Sequence, residues 1–298
     1  MNKIILCLVL ITTFKFGSAQ QLHFTTQYLQ HNSMLNPAAA GMAKQDMIGV
    51  SYRNQWSSFP GNPKTYMVYT DVELQKLNAG IGAYLYRDET GPTSRTGVQL
   101  AYAYHIKSRN EKDKFSIGLE LRGLQYAINR SKISADIQND PALAGAQNKT
   151  GLDAGAGFYY TNDKLSLGAA VSQLIQSKLQ LADVPGATLT GKLYRHYNAT
   201  ASYKIQTGED IFIIPNAIVR VIENSPTEFE AGVLANYKDQ LWWGVGYRLR
   251  QSLILQAGLK IKEKVTLGYS YDFYVNPTDV FNAGSGGHEI GLRFLFDK

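Results

Sequence analysis

One cysteine, little charge and no long apolar run after the first residues set the outer limits for this chain. The single cysteine is Cys7, and charged residues make up only 18% of 298 positions, against about 25% in ordinary globular proteins. Cys7 sits in an N-terminal stretch with the layout of an export signal: Lys3 supplies a positive start, residues 4–13 an apolar run, and Gly17-Ser18-Ala19 a small-residue cleavage site. The expected mature chain begins at Gln20 and contains no cysteine, which excludes a disulfide framework and thiol catalysis. Cys7 also lies too early to serve as a lipoprotein cysteine. Beyond residue 19 no segment approaches the roughly 18 consecutive apolar residues of a membrane-spanning helix. That limit does not touch a spanning β-barrel, whose strands show only alternation.

Charge of one sign is also scarce. Without Lys3 and Lys15, twenty-eight basic residues face twenty-four acidic ones, a net of +4. So mild an excess gives no case for a nucleic-acid partner. What the chain does have is 19 Tyr and 27 Gly. With so little charge, this excludes a disordered chain and a coiled coil.

Period-two alternation is the dominant pattern. In residues 97–106 one face reads Val98, Leu100, Tyr102, Tyr104, Ile106 and the other Gly97, Gln99, Ala101, Ala103, His105. Phe115, Ile117, Leu119 and Leu121 oppose Ser116, Gly118, Glu120 and Arg122 in the same way. Fourteen such segments are expected, over residues 46–56, 63–74, 79–88, 94–107, 114–128, 150–161, 164–172, 192–206, 210–224, 227–238, 240–251, 253–262, 264–275 and 287–297. Most have the length a tilted strand needs to cross a bilayer. Pro215 is a local misfit inside its segment, tolerable at a bulge or a mouth.

The faces and the connections indicate a membrane barrel. One face is continuously apolar; the other is rich in Gly, Ala, Ser, Arg and Glu, as a lumen requires. Tyr52, Trp56, Tyr159, Tyr160, Trp242, Trp243 and Tyr274 lie at segment ends, where interfacial aromatic girdles form. Connections after even segments are short, at 75–78, 108–113, 162–163, 207–210, 238–239 and 262–263. The long ones, 129–149, 173–191 and 276–286, all follow odd segments. Short turns are periplasmic in such barrels and long loops external, so both chain ends are expected in the periplasm. The fold class read here is all-β: a transmembrane antiparallel β-barrel of about fourteen strands. A soluble secreted all-β protein is the alternative the alternation also allows.

Residues 20–45 show no strong alternation. A short helix is expected around 24–29, before the break at Asn36-Pro37. Leu22, Phe24, Tyr28, Met34 and Leu35 would be costly in water, so this segment is expected to be ordered, either as a plug-like insertion into the lumen or along the periplasmic rim. The domain layout is therefore 1–19 signal peptide, 20–45 plug or periplasmic segment, and 46–298 barrel. Packing of the segment back onto Arg53 and Gln55 is the specific expectation.

Nothing in the chain spells out catalysis. The lumen-facing charges Arg53, Glu120, Arg122, Asp153, Arg220, Glu228, Glu230, Arg248, Arg250, Asp272, Glu289 and Arg293 are mixed in sign. They suit a paired ladder filling the lumen better than a selective pore. His23, His31, His105, His196 and His288 have no metal-ligand spacing, and no Ser sits at a nucleophile turn. No catalytic residue, cofactor or metal is expected.

Two motifs, however, resemble a known family. Gln27-Tyr28, Asn32, Asn36-Pro37-Ala38 and Gly41, followed by Arg53, Gln55-Trp56, Gly61, Pro63 and Thr65, are similar to the opening of the PorP/SprF family of Bacteroidetes outer-membrane proteins. Ala39-Ala40 departs from it where many members carry an aromatic. The resemblance implies a location in the outer membrane and a role in type IX secretion and gliding. It also implies periplasmic secretion-system or peptidoglycan-binding lipoproteins below, and a large secreted adhesin above. A barrel of this size with an N-terminal hatch is also the architecture of the fatty-acid-channel family. A transporter of apolar small molecules is thus the competing expectation, with Ile214, Ile218 and Ile222 as its only hint of a pocket.

Overall fold

The structure, a computed structural model, describes residues 25–109, 112–133, 148–184, 187–275 and 286–297, with side chains omitted over 180–190. The expected signal peptide lies outside the described residues, as do most of the expected external loops 129–149 and 276–286.

Alternating apolar residues close the chain into a barrel. Its strands are β1 Asp46–Gln55, β2 Lys64–Leu74, β3 Ala79–Thr90, β4 Thr93–Lys107, β5 Lys114–Ile128, β6 Lys149–Thr161, β7 Leu165–Ser172, β10 His196–Tyr203 with β11 Ile205–Gln206, β12 Ile211–Ile222, β13 Glu228–Tyr237, β14 Leu241–Arg248, β15 Ser252–Ile261, β16 Val265–Tyr274 and β17 Gly287–Phe296. Between β7 and β10 the chain forms a separate two-stranded sheet, β8 Lys178–Val184 and β9 Ala187–Lys192. Each barrel strand pairs antiparallel with its neighbour, and β1 closes the circle against β17 from Asp46↔Phe296 to Gln55↔Gly287. Because β10 and β11 both pair with β12, they form a single barrel strand, and the strand count is fourteen. Closure leaves no sheet edge in lipid.

Two expectations need correction here. The connection 173–191 is not a plain loop: it carries the β8–β9 hairpin, and Lys192 ends β9 instead of opening the next barrel strand. Six- and seven-residue strands are too short to stand out beside membrane-length ones. Pro215 does not produce a bulge either. The pairs Ser202↔Asn216 and Ile205↔Ile213 keep one register on both sides of a two-residue gap. Pro215 has no N–H to donate there, and on its other side it still pairs with Val233.

Odd–even alternation sends one set of side chains to lipid and the other inward. Leu119 and Phe158 are 64% and 65% exposed on the outer face, while their neighbours Glu120 and Tyr159 are buried inside. The connections sort by end, with short turns at one mouth and the long connections after β5, β7 and β16 at the other. At the short-turn end Lys238-Asp239 and Lys262-Glu263 take consecutive positive φ angles of 55° and 53°, and 48° and 58°. Gln240 N–H donates to Tyr237 O at 3.0 Å and Lys264 N–H to Ile261 O at 3.1 Å, closing type I′ hairpins without the usual Asn-Gly. Left-handed backbone costs ordinary residues roughly 1–2 kcal/mol each. Replacing Lys262-Glu263 by Asn-Gly is therefore expected to stabilise the barrel by about 1 kcal/mol, read as a higher urea midpoint for unfolding from lipid vesicles.

Candidate functional site: an occupied lumen

Residues 25–45 fold inside the barrel as a string of 3-10 turns, Tyr28–Gln30, Asn32–Met34 and Pro37–Ala39, not as the single helix expected around 24–29. Local chemistry explains the last turn. Asn36 is extended, its side chain accepts from the Ala38 N–H at 3.0 Å, and Pro37 follows at the first turn position with its φ already set. Gly41 has φ +72° and lies on the backbone of Gly80, an approach no side chain would permit.

Room for this segment comes from glycines on the inner face of the wall. A Cβ on Gly80 would meet the Ala40 carbonyl, one on Gly118 the Pro37–Ala38 backbone, one on Gly157 the Asn36 side chain, and one on Gly268 the Gln27 amide. Other inward glycines make room for wall side chains: Tyr69 opposes and covers Gly49, Tyr86 covers Gly97, and Trp242 covers Gly258. Tyr159, Trp242 and Tyr274 are thus lumenal residues, correcting the girdle expected of them. Adjacent aromatics in a strand point to opposite sides, and Tyr160 and Trp243 are the outward members of their pairs.

Polar contacts fix the segment around its length. Tyr28 donates to Asn216 at 3.0 Å, Asn32 to the Tyr159 hydroxyl at 3.3 Å, and Asn36 Nδ2 to the Phe158 carbonyl at 2.8 Å. Gly41 N–H donates to Asp71 at 2.7 Å, and the His105 ring meets the Ala40 carbonyl at 2.9 Å. Met34 completes an apolar cluster with Met47, Met67, Tyr69, Tyr84 and Tyr86. Both sets of contacts are needed, because a backbone this deeply buried must find its partners inside.

The outer half of the lumen holds an ion-pair ladder. Arg53 pairs with Asp272 and, at 3.0 Å, with Glu289; Arg248 pairs with Glu230 at 2.8 Å; and Arg220 pairs with Glu228 and, at 3.4 Å, with Glu230. Four carboxylates here outnumber three guanidinium groups, and the N-terminal segment makes up the difference. Thr26 N–H donates to Glu289 at 2.9 Å, Thr25 donates its hydroxyl to the same carboxylate, and the Thr26 hydroxyl accepts from Arg53 at 2.6 Å. Of the twelve charges expected inside, eleven are buried; Arg250 is the exception, exposed in the β14–β15 turn with a positive φ.

The two sequence motifs therefore part company. Tyr28, Asn32, Asn36, Pro37 and Gly41 all lie in the lumen, and Arg53 joins them through Thr26. Gln55 donates to the Tyr274 hydroxyl at 3.0 Å, and among the described residues it has no hydrogen bond to the segment. Trp56 lies beside the Tyr274 ring at 5.6 Å, and the outer turn it opens also holds Gly61, whose carbonyl accepts from Gly91, and Pro63, whose carbonyl accepts from Gln55. Since Arg53, Asp272 and Glu289 all lie near the outer ends of their strands, Thr25 sits in the outer half of the barrel. β1 begins at the short-turn mouth, and the described residues ahead of it run back up the lumen; the expected chain start at Gln20 lies outside the described residues. Thr25, Thr26 and the glycine belt were missed in the sequence. Gly80, Gly118, Gly157 and Gly268 were visible as inner-face glycines, yet a wet lumen accounts for such residues equally well.

Between Tyr84, Tyr86, Gln99, Arg122 and Gln173 a cavity of about 10 Å³ remains. That is roughly the space of one water.

A closed fourteen-strand barrel with a lipid-facing apolar belt is an outer-membrane protein. The sequence pattern of the family described as type IX secretion system membrane protein PorP/SprF matches residues 17–294, and the chain belongs to that family. A comparison with curated proteins finds no match. Among solved structures, a deletion mutant of the monoaromatic hydrocarbon channel TodX is similar at 11% identity and a TM-score of 0.51, covering 97% of this chain and 98% of that one. A Pseudomonas aeruginosa FadL homologue matches at 13% identity and a TM-score of 0.48, covering 88% and 92%. The KdgM porin matches at 8% identity and a TM-score of 0.40, covering 84% and 99%. These likenesses bear on the fold alone.

Proposed function

We propose that this chain is a non-enzymatic part of the type IX secretion and gliding apparatus that works through its two ends and not through its lumen. At the outer end it anchors, or helps export, a large secreted surface adhesin. At the short-turn end it engages periplasmic secretion-system or peptidoglycan-binding lipoproteins. The observation that carries this reading is the occupied lumen: the segment 25–45 and the ion-pair ladder fill space that a conduit would keep free. Residues 44–45 also cross the short-turn mouth, where Lys44 pairs with Asp239 at 2.9 Å and Lys260 donates to Gln45 at 3.3 Å. The rim and its closing segment thus form a continuous periplasmic surface. The domain layout, with a cleaved signal ahead of a lumenal plug, belongs to this proposal.

The fold likeness to a hydrocarbon channel is the argument for the competing reading, a transporter of apolar small molecules. Against it, Ile218, in the middle of the isoleucine row, is 1% exposed, which leaves no open pocket around it. Affinity purification from native outer membranes in mild detergent, with mass spectrometry of everything retained, separates the two. Stoichiometric periplasmic lipoproteins or a large surface protein are the expected result. A barrel that arrives alone and carries an apolar ligand would overturn the anchor.

A further inference from the structure

We propose that Lys64, Arg87 and Lys132 form a binding site for the phosphates of lipid A in the outer leaflet. Alternation places Lys64 on the outward face of β2 with Tyr66 and Val68, and Arg87 on the outward face of β3 with Leu85. Register then sets Lys64 opposite Glu89 and Tyr66 opposite Arg87. Arg87 Nε donates to Glu89 at 2.8 Å, Lys64 faces Glu89 across the β2–β3 register, and the Asn129 N–H bond to the Pro92 carbonyl at 2.7 Å brings the turn that carries Lys132 against the β3–β4 connection just beyond Glu89. Among the described residues, three cations thus gather around Glu89, an excess of two positive charges.

Height on the barrel decides what answers that excess. Tyr66, Val68 and Leu85, directly below, are 44%, 46% and 53% exposed and belong to the lipid-facing belt. Tyr52 and Tyr66 lie ring against ring at 5.1 Å on this outer face, where an interfacial girdle sits. The cations come one step above it, at the end away from the short turns, which is headgroup level. Like charges so gathered repel unless an anion joins them. A phosphate offers three acceptor oxygens, matching a guanidinium fork flanked by two ammonium groups. An acidic segment of a protein partner is the other anion that could sit there, but the position at the margin of the belt favours a lipid headgroup.

The test uses the full-length barrel in detergent, titrated with diphosphoryl lipid A, with its dephosphorylated form and with inorganic phosphate, and read by native mass spectrometry. Wild type is expected to retain the diphosphoryl form preferentially, and more weakly as salt is raised. Lys64→Gln, Arg87→Gln and Lys132→Gln combined should weaken binding by about a hundredfold, from roughly fivefold per cation near an anionic surface. All three side chains are at the surface, so the variant should keep its folded electrophoretic mobility; if it does not, the salt dependence of wild type carries the test. Equal retention of both glycolipids by wild type, unchanged binding by the folded variant, or salt-independent binding would overturn the site. Displacement of lipid A by an equal concentration of inorganic phosphate would overturn the lipid as its ligand. An acidic peptide that binds there and that lipid A fails to displace would do the same.

Discussion

Arg53→Ala is expected to release the N-terminal segment from the lumen while the barrel stays closed. Arg53 is 2% exposed and lies between Asp272 and Glu289. Removing one partner of a buried ion pair costs about 3–5 kcal/mol, because the charge left behind stays desolvated. The barrel wall contributes little to relieving that cost, since both carboxylates sit on strands locked in register. The segment is the part that can move, so water reaches the carboxylates once Thr25 and Thr26 withdraw. The chain's single cysteine is Cys7, so a second one introduced in the lumen is simple to read. Ser33→Cys, 7% exposed at Ser33 in the folded protein, should react slowly with a maleimide in an otherwise wild-type barrel and rapidly beside Arg53→Ala. Arg53→Lys keeps a cation and should give an intermediate rate. If the segment in Arg53→Ala stays as protease-resistant and as slow to label as wild type, Arg53 is not what holds it.

How far the sequence reaches can be judged from particular residues. Period-two alternation over membrane-length segments is a long, redundant signal, and closure follows from it because lipid tolerates no free edge. The short-turn positions were legible even at Lys238-Asp239 and Lys262-Glu263, where the alternation breaks although no glycine marks the turn. Which aromatics face lipid was not legible at Tyr159-Tyr160 or Trp242-Trp243, since a one-residue shift reverses the face. Nor was the ladder's incomplete pairing. Arg53, Asp272 and Glu289 were each readable as inward, but their meeting depends on β1 closing against β17 and β17 on β16. The segment 25–45 was the least legible part, because its turns are set by the wall it packs on.

That dependence gives the second large effect: Gly118→Leu is expected to turn a sealed barrel into an open one. A Cβ at residue 118 would meet the backbone of Pro37 and Ala38, and backbone cannot rotate aside as a side chain can. Overpacking at such a contact typically costs about 1–3 kcal/mol even where neighbours adjust. Here a whole leucine must fit, so the 3-10 turn at Pro37–Ala39 has to leave. With it go the Asn36 bond to Phe158 and the Gly41 bond to Asp71, which tie the segment to β6 and to β2. The strand itself pays little, because Gly118 pairs with Ala103 and Gly157 through backbone alone. Gly80→Leu, aimed at the Ala40 carbonyl, should act in the same direction from the other side of the segment. Gly246→Ala is the control, since its Cβ would meet the Ala231 carbonyl at an ordinary 3.5 Å and should change nothing. In planar bilayers wild type and Gly246→Ala should stay closed, while both leucine variants pass ions in discrete steps and label quickly at Ser33→Cys. A closed Gly118→Leu barrel with Ser33→Cys still protected would mean that the segment has another place to sit inside. The seal would then be a property of the ladder alone.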